Sequence, residues 1–295
     1  MLSLAFGLVA ALGWGTHDFC VRPVSKHSGA LPALLMVLLF GAAVLAPFSI
    51  VLGDWSRMTL QSYALSAVAG GGYVLGGIGL FNAFAIGPVR LVAPITAAYP
   101  VLSVGWAALN GAPVALGQWL AVLAVVAGIS AVAIWSADDG HSRPDTGSEP
   151  ESKPESGSRR RAAMLWAGGG AFGFALTFAV GQAATAAGDG LPVLLTARLV
   201  TIAGLGLVLL ALRTPLAIHR PHLPLLALMG TLDVTSLGFV LAASRLPHPE
   251  YAAVAASVFG VITILLAWRF RREPMGPRQW FGVGVVFAGI GYLAI

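Results

Sequence analysis

Residues 89–129 read VRLVAPITAAYPVLSVGWAALNGAPVALGQWLAVLAVVAGI, and residues 272–290 read REPMGPRQWFGVGVVFAGI. The second stretch closes as the first does. Gln118 and Trp119 return as Gln279 and Trp280, and Ala127, Gly128 and Ile129 return as Ala288, Gly289 and Ile290, at an offset of 161 that Pro88 and Pro249 share. Nearer the N-terminus the offset is 160: Ala11 and Gly13 recur as Ala171 and Gly173, and Leu31, Pro32, Leu34 and Leu35 recur as Leu191, Pro192, Leu194 and Leu195. Ordered Leu-Pro and Gln-Trp pairs at a near-constant offset indicate a duplicated chain rather than a coincidence of common apolar residues. Each copy holds an odd number of apolar spans, which sends the two copies through a bilayer in opposite directions.

The composition demands that bilayer. With 57% hydrophobic and 10% charged residues and a mean hydropathy of +0.84, the chain has more apolar surface than a soluble domain of 295 residues can cover. Ten stretches reach the roughly 20 residues needed to cross about 30 Å of hydrocarbon. They lie at 2–21, 31–52, 62–86, 90–109, 116–136, 162–186, 191–212, 223–244, 249–270 and 277–294. Lipid offers an open backbone group no partner, so these stretches are predicted to be helices. A β-barrel would alternate apolar and polar positions instead of running continuously apolar. The expected fold is therefore an all-α integral membrane protein, ten transmembrane helices in two inverted five-helix repeats.

Residues 1–136 form the first expected repeat and residues 162–295 the second. Between them, residues 137–161 (ADDGHSRPDTGSEPESKPESGSRRR) lack an apolar run and are rich in Ser, Pro, Gly and charge, the composition of a flexible solvated linker. The first span has no basic residue before Arg22 and outruns the roughly 7 to 15 apolar residues of a signal peptide, so it is expected to stay in the mature protein. Cys20 is the only cysteine, which rules out an internal disulfide. The basic residues sit at span ends, where topology and anionic headgroups account for them and nucleic acid is not needed as a partner. Counted by alternate loops, 14 of the 17 Lys and Arg fall on the side of the linker, two (Arg57 and Arg245) on the other, and Arg198 inside a span. The positive-inside rule then puts the linker in the cytoplasm and both termini outside.

The stretch from Val89 to Ile129, its counterpart ending at Ile290, and the WGTHDF run from Trp14 to Phe19 resemble the EamA repeats of the drug/metabolite transporter superfamily. The resemblance covers nearly the whole chain outside the linker. It implies ten helices around a central cavity lined chiefly by helices 1, 3, 4, 6, 8 and 9. Two features of this chain depart from the family pattern. The Glu that often precedes the Gln-Trp stretch by six residues is kept as Glu273 but replaced by Ala112 in the first copy. Family members are also commonly drawn with cytoplasmic termini, opposite to the orientation given by this chain's charges.

Ionisable residues inside a bilayer cost roughly 2.5 to 3.5 kcal/mol each on insertion scales and mark candidate sites. Asp233 lies about 15 Å into the eighth span and Arg198 roughly 10 Å into the seventh, at 1.5 Å per residue. These spans run antiparallel, so the two charges are expected at similar depth as an ion pair, either tying two helices together or serving a ligand. Counted back through the repeat, their equivalents are Leu38 and Gly72, both uncharged. Arg198 is suited to a carboxylate or phosphate, and Asp233 to an amine or a proton. His17 and Asp18 form a second candidate, placed at the cytoplasmic end of the first helix in contact with interfacial water or acting in proton relay or gating. Glu250 begins the ninth span, where an acid favours the helix dipole, and Arg245 and His248 nearby are candidates for a gate. Trp14, Tyr73, Asn82, Thr96, Tyr99, Thr177, Gln182 and Thr235 are the polar and aromatic positions expected to complete a pocket, with packing as the alternative role for each.

The expected function is secondary active transport, in the export direction, of small polar or amphipathic metabolites such as amino acids, by alternating access with proton coupling. Substrate contact is assigned to Arg198, Asp233, Trp14, Tyr73, Asn82, Tyr99 and Gln182, and proton coupling or gating to Asp233, His17, Asp18 and Glu250. A lipid or lipid-linked headgroup flippase is the rival within transport, and an intramembrane enzyme or scaffold the rival outside it. No cofactor and no metal is expected, the partners are a small-molecule substrate and membrane lipids, the assembly is a monomer or homodimer, and the location is a bacterial inner membrane.

Overall fold

Continuous apolar runs leave the backbone no partner but itself, and in the computed structural model every regular element among the described residues is helical. The structure describes residues 2–87, 92, 95–97, 99–109, 111, 114–138, 157–271 and 276–293. Its helices are α1 Leu2–Ser28, α2 Ala30–Leu52, α3 Leu60–Ile86, α4 Tyr99–Leu109, α5 Leu116–Asp138, α6 Gly157–Ala187, α7 Gly190–Ala211, α8 Leu223–Ala242, α9 Glu250–Ala256, α10 Phe259–Arg271 and α11 Pro277–Leu293. Each expected span falls on one of these, the ninth being shared by α9 and α10 across a turn at residues 257–258. Among the described residues seven segments are long and apolar enough to cross a membrane, and α5 and α11 carry shorter apolar stretches, Leu116–Ala131 and Trp280–Gly289. Helix α4 covers the second half of the expected fourth span, part of whose first half lies outside the described residues. The chain is thus a multi-pass helical membrane protein.

The expected end of the first span is corrected. An apolar reading stops before Arg22, yet α1 continues to Ser28 with Pro23 inside it. Helix geometry does not require apolar residues, only backbone partners, so the polar last turns extend the helix beyond the hydrophobic run. His17 and Asp18 are consequently well inside α1 rather than at its end.

Packing repeats itself between the two copies. Helix α3 packs on α6 as α1 packs on α8, and α3 packs on α7 as α2 packs on α8. Small residues permit this closeness. A Cβ on Gly70 would lie 2.5 Å from the carbonyl oxygen of Ala197, and one on Gly230 would lie 2.4 Å from that of Val37. Gly70 and Gly230 are 160 apart, as are Val37 and Ala197, so the same contact is made twice. At the far end α5 and α11 pack reciprocally: Gly128 lies against Val286 and the Gly282 carbonyl, while Gly289 lies against Val125 and the Ala121 carbonyl. This is the self-complementary pattern of a twofold relation between like surfaces.

Candidate functional site

Those paired glycine contacts fix the register of the third helix of each copy at 160, and with it the counterpart of Asp233. The offset of 161 that pairs Asp233 with Gly72 belongs to the later part of the chain; in α3 and α8 the counterpart is Tyr73. The two touch. Tyr73 Oη donates a hydrogen bond to Asp233 Oδ1, and Trp14 Nε1 donates to the same oxygen at 3.2 Å. Two repeat-equivalent side chains can meet only at the axis that relates the repeats, so this contact marks the centre of the molecule.

Arg198 completes the cluster, as the matching depths of Arg198 and Asp233 predict. Its Nη1 stands 2.7 Å from Asp233 Oδ2, and the residues are only 2% and 1% exposed. The guanidinium carbon lies 5.1 Å from the centroid of the Tyr73 ring. The approach is a charge contact rather than an aligned hydrogen bond, and among the described residues both buried Nη atoms of Arg198 have no hydrogen-bond partner.

On one side of this cluster lies a cavity of about 30 Å³, room for a water molecule or two. Trp14, His17 and Asp18 from α1, Tyr73 and Phe81 from α3, Tyr99 from α4, Phe174 and Phe178 from α6, Asp233 from α8 and Phe259 from α10 line it. Ring pairs form most of its wall: Tyr99 and Phe178 at 4.9 Å between centroids, Trp14 and Phe178 at 5.4 Å, Tyr73 and Phe174 edge to face at 5.7 Å. His17 Nδ1 and Asp18 Oδ1 are 2.9 Å apart, and His17 Nε2 is buried with no hydrogen-bond partner among the described residues. Successive helix positions diverge by about 100°, yet both residues line this cavity because their side chains turn toward each other.

On the other side lies a cavity of about 10 Å³, lined by Ala69, Tyr73, Thr177, Ala197, Arg198, Thr201, Leu237 and Leu241. Five of these, Tyr73, Thr177, Ala197, Leu237 and Leu241, are the repeat equivalents of Asp233, His17, Val37, Gly77 and Phe81 in the first cavity. The two cavities are therefore images of one another, of unequal size, divided by the Tyr73, Asp233 and Arg198 cluster.

Other candidates lie elsewhere. Asn82 spends its amide on the Ile78 carbonyl of its own helix, and Thr96 bonds the Val92 carbonyl. Gln182 donates to the carbonyls of Val240 and Pro249, which ties α6 to the junction between α8 and α9. Thr235 is exposed on α8. Arg245 donates to the Gly188 carbonyl at 3.3 Å and stands 3.6 Å from Asp189, linking the α6 to α7 turn with the end of α8. The side chain of Glu250 lies outside the described residues. Sequence reasoning passed over Phe81, Phe174, Phe178 and Phe259, because phenylalanine is common in any apolar span. A signal existed: Phe174 and Phe178 are the repeat equivalents of Trp14 and Asp18. Among the described residues no group of three or more His, Cys, Asp or Glu is placed to hold a metal ion.

No curated protein matches the chain. Among solved structures, one described only as "Crystal structure of protein" superposes with a TM-score of 0.77 at 14% identity, covering 99% of this chain and 95% of that one, which is a likeness of fold. The model of the EamA-like transporter family matches residues 1–134 and again residues 161–295. Two matches that together take in nearly the whole chain, on a scaffold whose helix contacts recur in pairs, place this protein in the EamA-like transporter family.

Proposed function

We propose that the protein is a secondary active transporter that moves small polar or amphipathic metabolites, amino acids among them, by alternating access between its two inverted halves. The observation that carries this reading is the pair of unequal, repeat-equivalent cavities on either side of the contact between Tyr73 and Asp233. In a duplicated chain crossing the bilayer in opposite senses, such cavities open to opposite faces, and exchanging their sizes is an alternation of access. Energy comes from the substrate gradient or from protons, with Asp233, His17 and Asp18 as the acids and base within reach of the cavity. The linker lies in the cytoplasm, the working direction is export, and the home is a bacterial inner membrane.

Uptake by proteoliposomes, offered a mixed metabolite pool with and without an imposed pH gradient, tests the proposal. Accumulation that follows the gradient and is lost in Asp233→Asn is expected. Absence of accumulation in both conditions, with lipid scrambling in its place, would replace the metabolite carrier with a flippase.

A further inference from the structure

The charges around the central cluster do not balance within the larger cavity. Asp233 is matched by Arg198 at 2.7 Å and receives two further donors, from Tyr73 and Trp14. Among the described residues, the charge partner of Asp18 is the imidazole of the adjacent His17, through Nδ1. With Asp18 ionised and His17 neutral, the cavity holds one uncompensated carboxylate in surroundings where an isolated charge is expensive, so it calls for a proton or another cation. If Nδ1 carries the proton shared with Asp18, Nε2 is left as an acceptor, and it is buried without a donor. Both groups ask for the same occupant, something positively charged that carries N–H donors.

The walls favour the same class of ligand. Trp14, Phe81, Tyr99, Phe178 and Phe259 line the same cavity as the dyad, and aromatic faces attract ammonium groups by about 0.5 kcal/mol at exposed sites to about 2 kcal/mol where water is excluded. Anionic substrates are disfavoured on this side, since the Arg198 guanidinium is held by Asp233 and lines the other cavity. The dyad also has no copy. Its repeat equivalents are Thr177 and Phe178, so the feature belongs to one half of a duplicated frame.

We propose that the larger cavity is a cation site in which the ammonium group of an organic amine and a proton compete for the His17 and Asp18 dyad. This rests on the transporter reading for its role in coupling but not for binding itself. A cavity that now holds only a water or two must widen to take the amine, which is the parting of the halves that alternating access calls for. The titratable and charged groups that face the dyad from packed helices are Tyr73 on α3, Tyr99 on α4 and Asp233 on α8, with Arg198 on α7 beyond Asp233. Acidification protonates the dyad and removes the negative charge, so amine affinity falls as pH falls.

The test is equilibrium binding to the purified protein in detergent, by titration calorimetry, of benzylammonium against its neutral counterpart benzyl alcohol and the zwitterion phenylalanine. Measurements run between about pH 5.5 and 8.5. Benzylammonium is expected to bind best, losing up to about tenfold per pH unit on acidification, the proportionality of two ligands competing for one site. Asp18→Asn is expected to weaken it by roughly 30-fold or more and to flatten the pH dependence, while Asp18→Glu keeps both and Phe178→Leu costs roughly two- to 30-fold. Equal or tighter binding of phenylalanine or benzyl alcohol would overturn the proposal, as would Asp18→Asn binding like the parent. Should Asp18→Asn fail to fold, the three-ligand comparison and Phe178→Leu still decide. Metabolite uptake in proteoliposomes without amine binding would sink the cation site alone, and amine binding without uptake of any substrate would sink the transporter alone.

Discussion

Replacing Arg198 with leucine, the residue that already stands at its repeat equivalent Leu38, removes one half of a buried ion pair and leaves its partner in place. At the observed 2.7 Å, two unit charges attract by about 6 kcal/mol if the surroundings behave as a dielectric of about 20. Each ion also loses several kcal/mol of hydration on burial, so the net worth of the intact pair is small. The cost of breaking it is not small: an orphaned buried charge typically destabilises by about 3 to 5 kcal/mol. Tyr73 and Trp14 still donate to the carboxylate, which argues for the lower end, about 3 kcal/mol. At roughly 2 to 4 °C per kcal/mol, Arg198→Leu should lower the melting temperature in detergent by about 6 to 12 °C, measured by intrinsic fluorescence. Asp233→Asn should fall by a similar amount, because it strands the guanidinium instead. The double variant Arg198→Leu with Asp233→Asn buries no net charge and should recover more than half of the loss, a coupling of about 2 kcal/mol or more. If the two losses simply added, the charges would not be stabilising one another and the axis cluster would have to be explained otherwise.

Three further outcomes follow from the packing and the topology. A Cβ on Gly173 would fall 2.3 Å from the backbone nitrogen of Gly76, so Gly173→Ala should destabilise by about 1 to 3 kcal/mol. Gly71, with nothing within 4 Å of its own Cβ position, should accept alanine with no loss or a slight gain in melting temperature. In a Cys20→Ser background, Ser148→Cys in the linker should resist a membrane-impermeant maleimide in intact cells and react once they are permeabilised; labelling of intact cells would reverse the orientation derived from the loop charges.

The sequence carried most of this fold because lipid simplifies the inference: a long apolar run must be a helix, and a duplicated pattern must place helices in pairs. The ion pair was legible too, since Arg198 and Asp233 are lone charges at matching depths in antiparallel neighbours. Facing was far less legible. In spans apolar all round, no polar side announces which way a residue points, so Asn82, Gln182 and Thr235 read as pocket candidates as readily as Trp14 and Tyr73. The structure separates them by partner: Asn82 and Gln182 bond carbonyls, while Trp14 and Tyr73 bond Asp233. His17 and Asp18 were misplaced to a helix end because hydropathy stops at Arg22 while hydrogen bonding does not.

The unequal cavities raise the question of whether their inequality is a conformation or a consequence of side chains. Two substitutions within the duplicated frame bear on it. Where the first cavity has Gly77 the second has Leu237, and where the first half has Leu38 the second has Arg198. Both place more bulk on the second side and bias the molecule toward one arrangement, although Thr177 in place of His17, Ala197 in place of Val37 and Leu241 in place of Phe81 place less bulk there. Trimming that bulk should shift the bias. Leu237→Ala deletes a buried leucine and is expected to cost about 2 to 5 kcal/mol if the space stays empty. If the second cavity instead opens to water, part of that cost is returned and Thr177, now only 2% exposed, becomes reachable. The measurement is the alkylation rate of Thr177→Cys in a Cys20→Ser background, with and without Leu237→Ala. A rate that rises with the trimming, together with a smaller than expected fall in melting temperature, means the two cavities exchange. A full loss of stability with no change in rate means that Leu237 only fills a void, and the inequality is fixed.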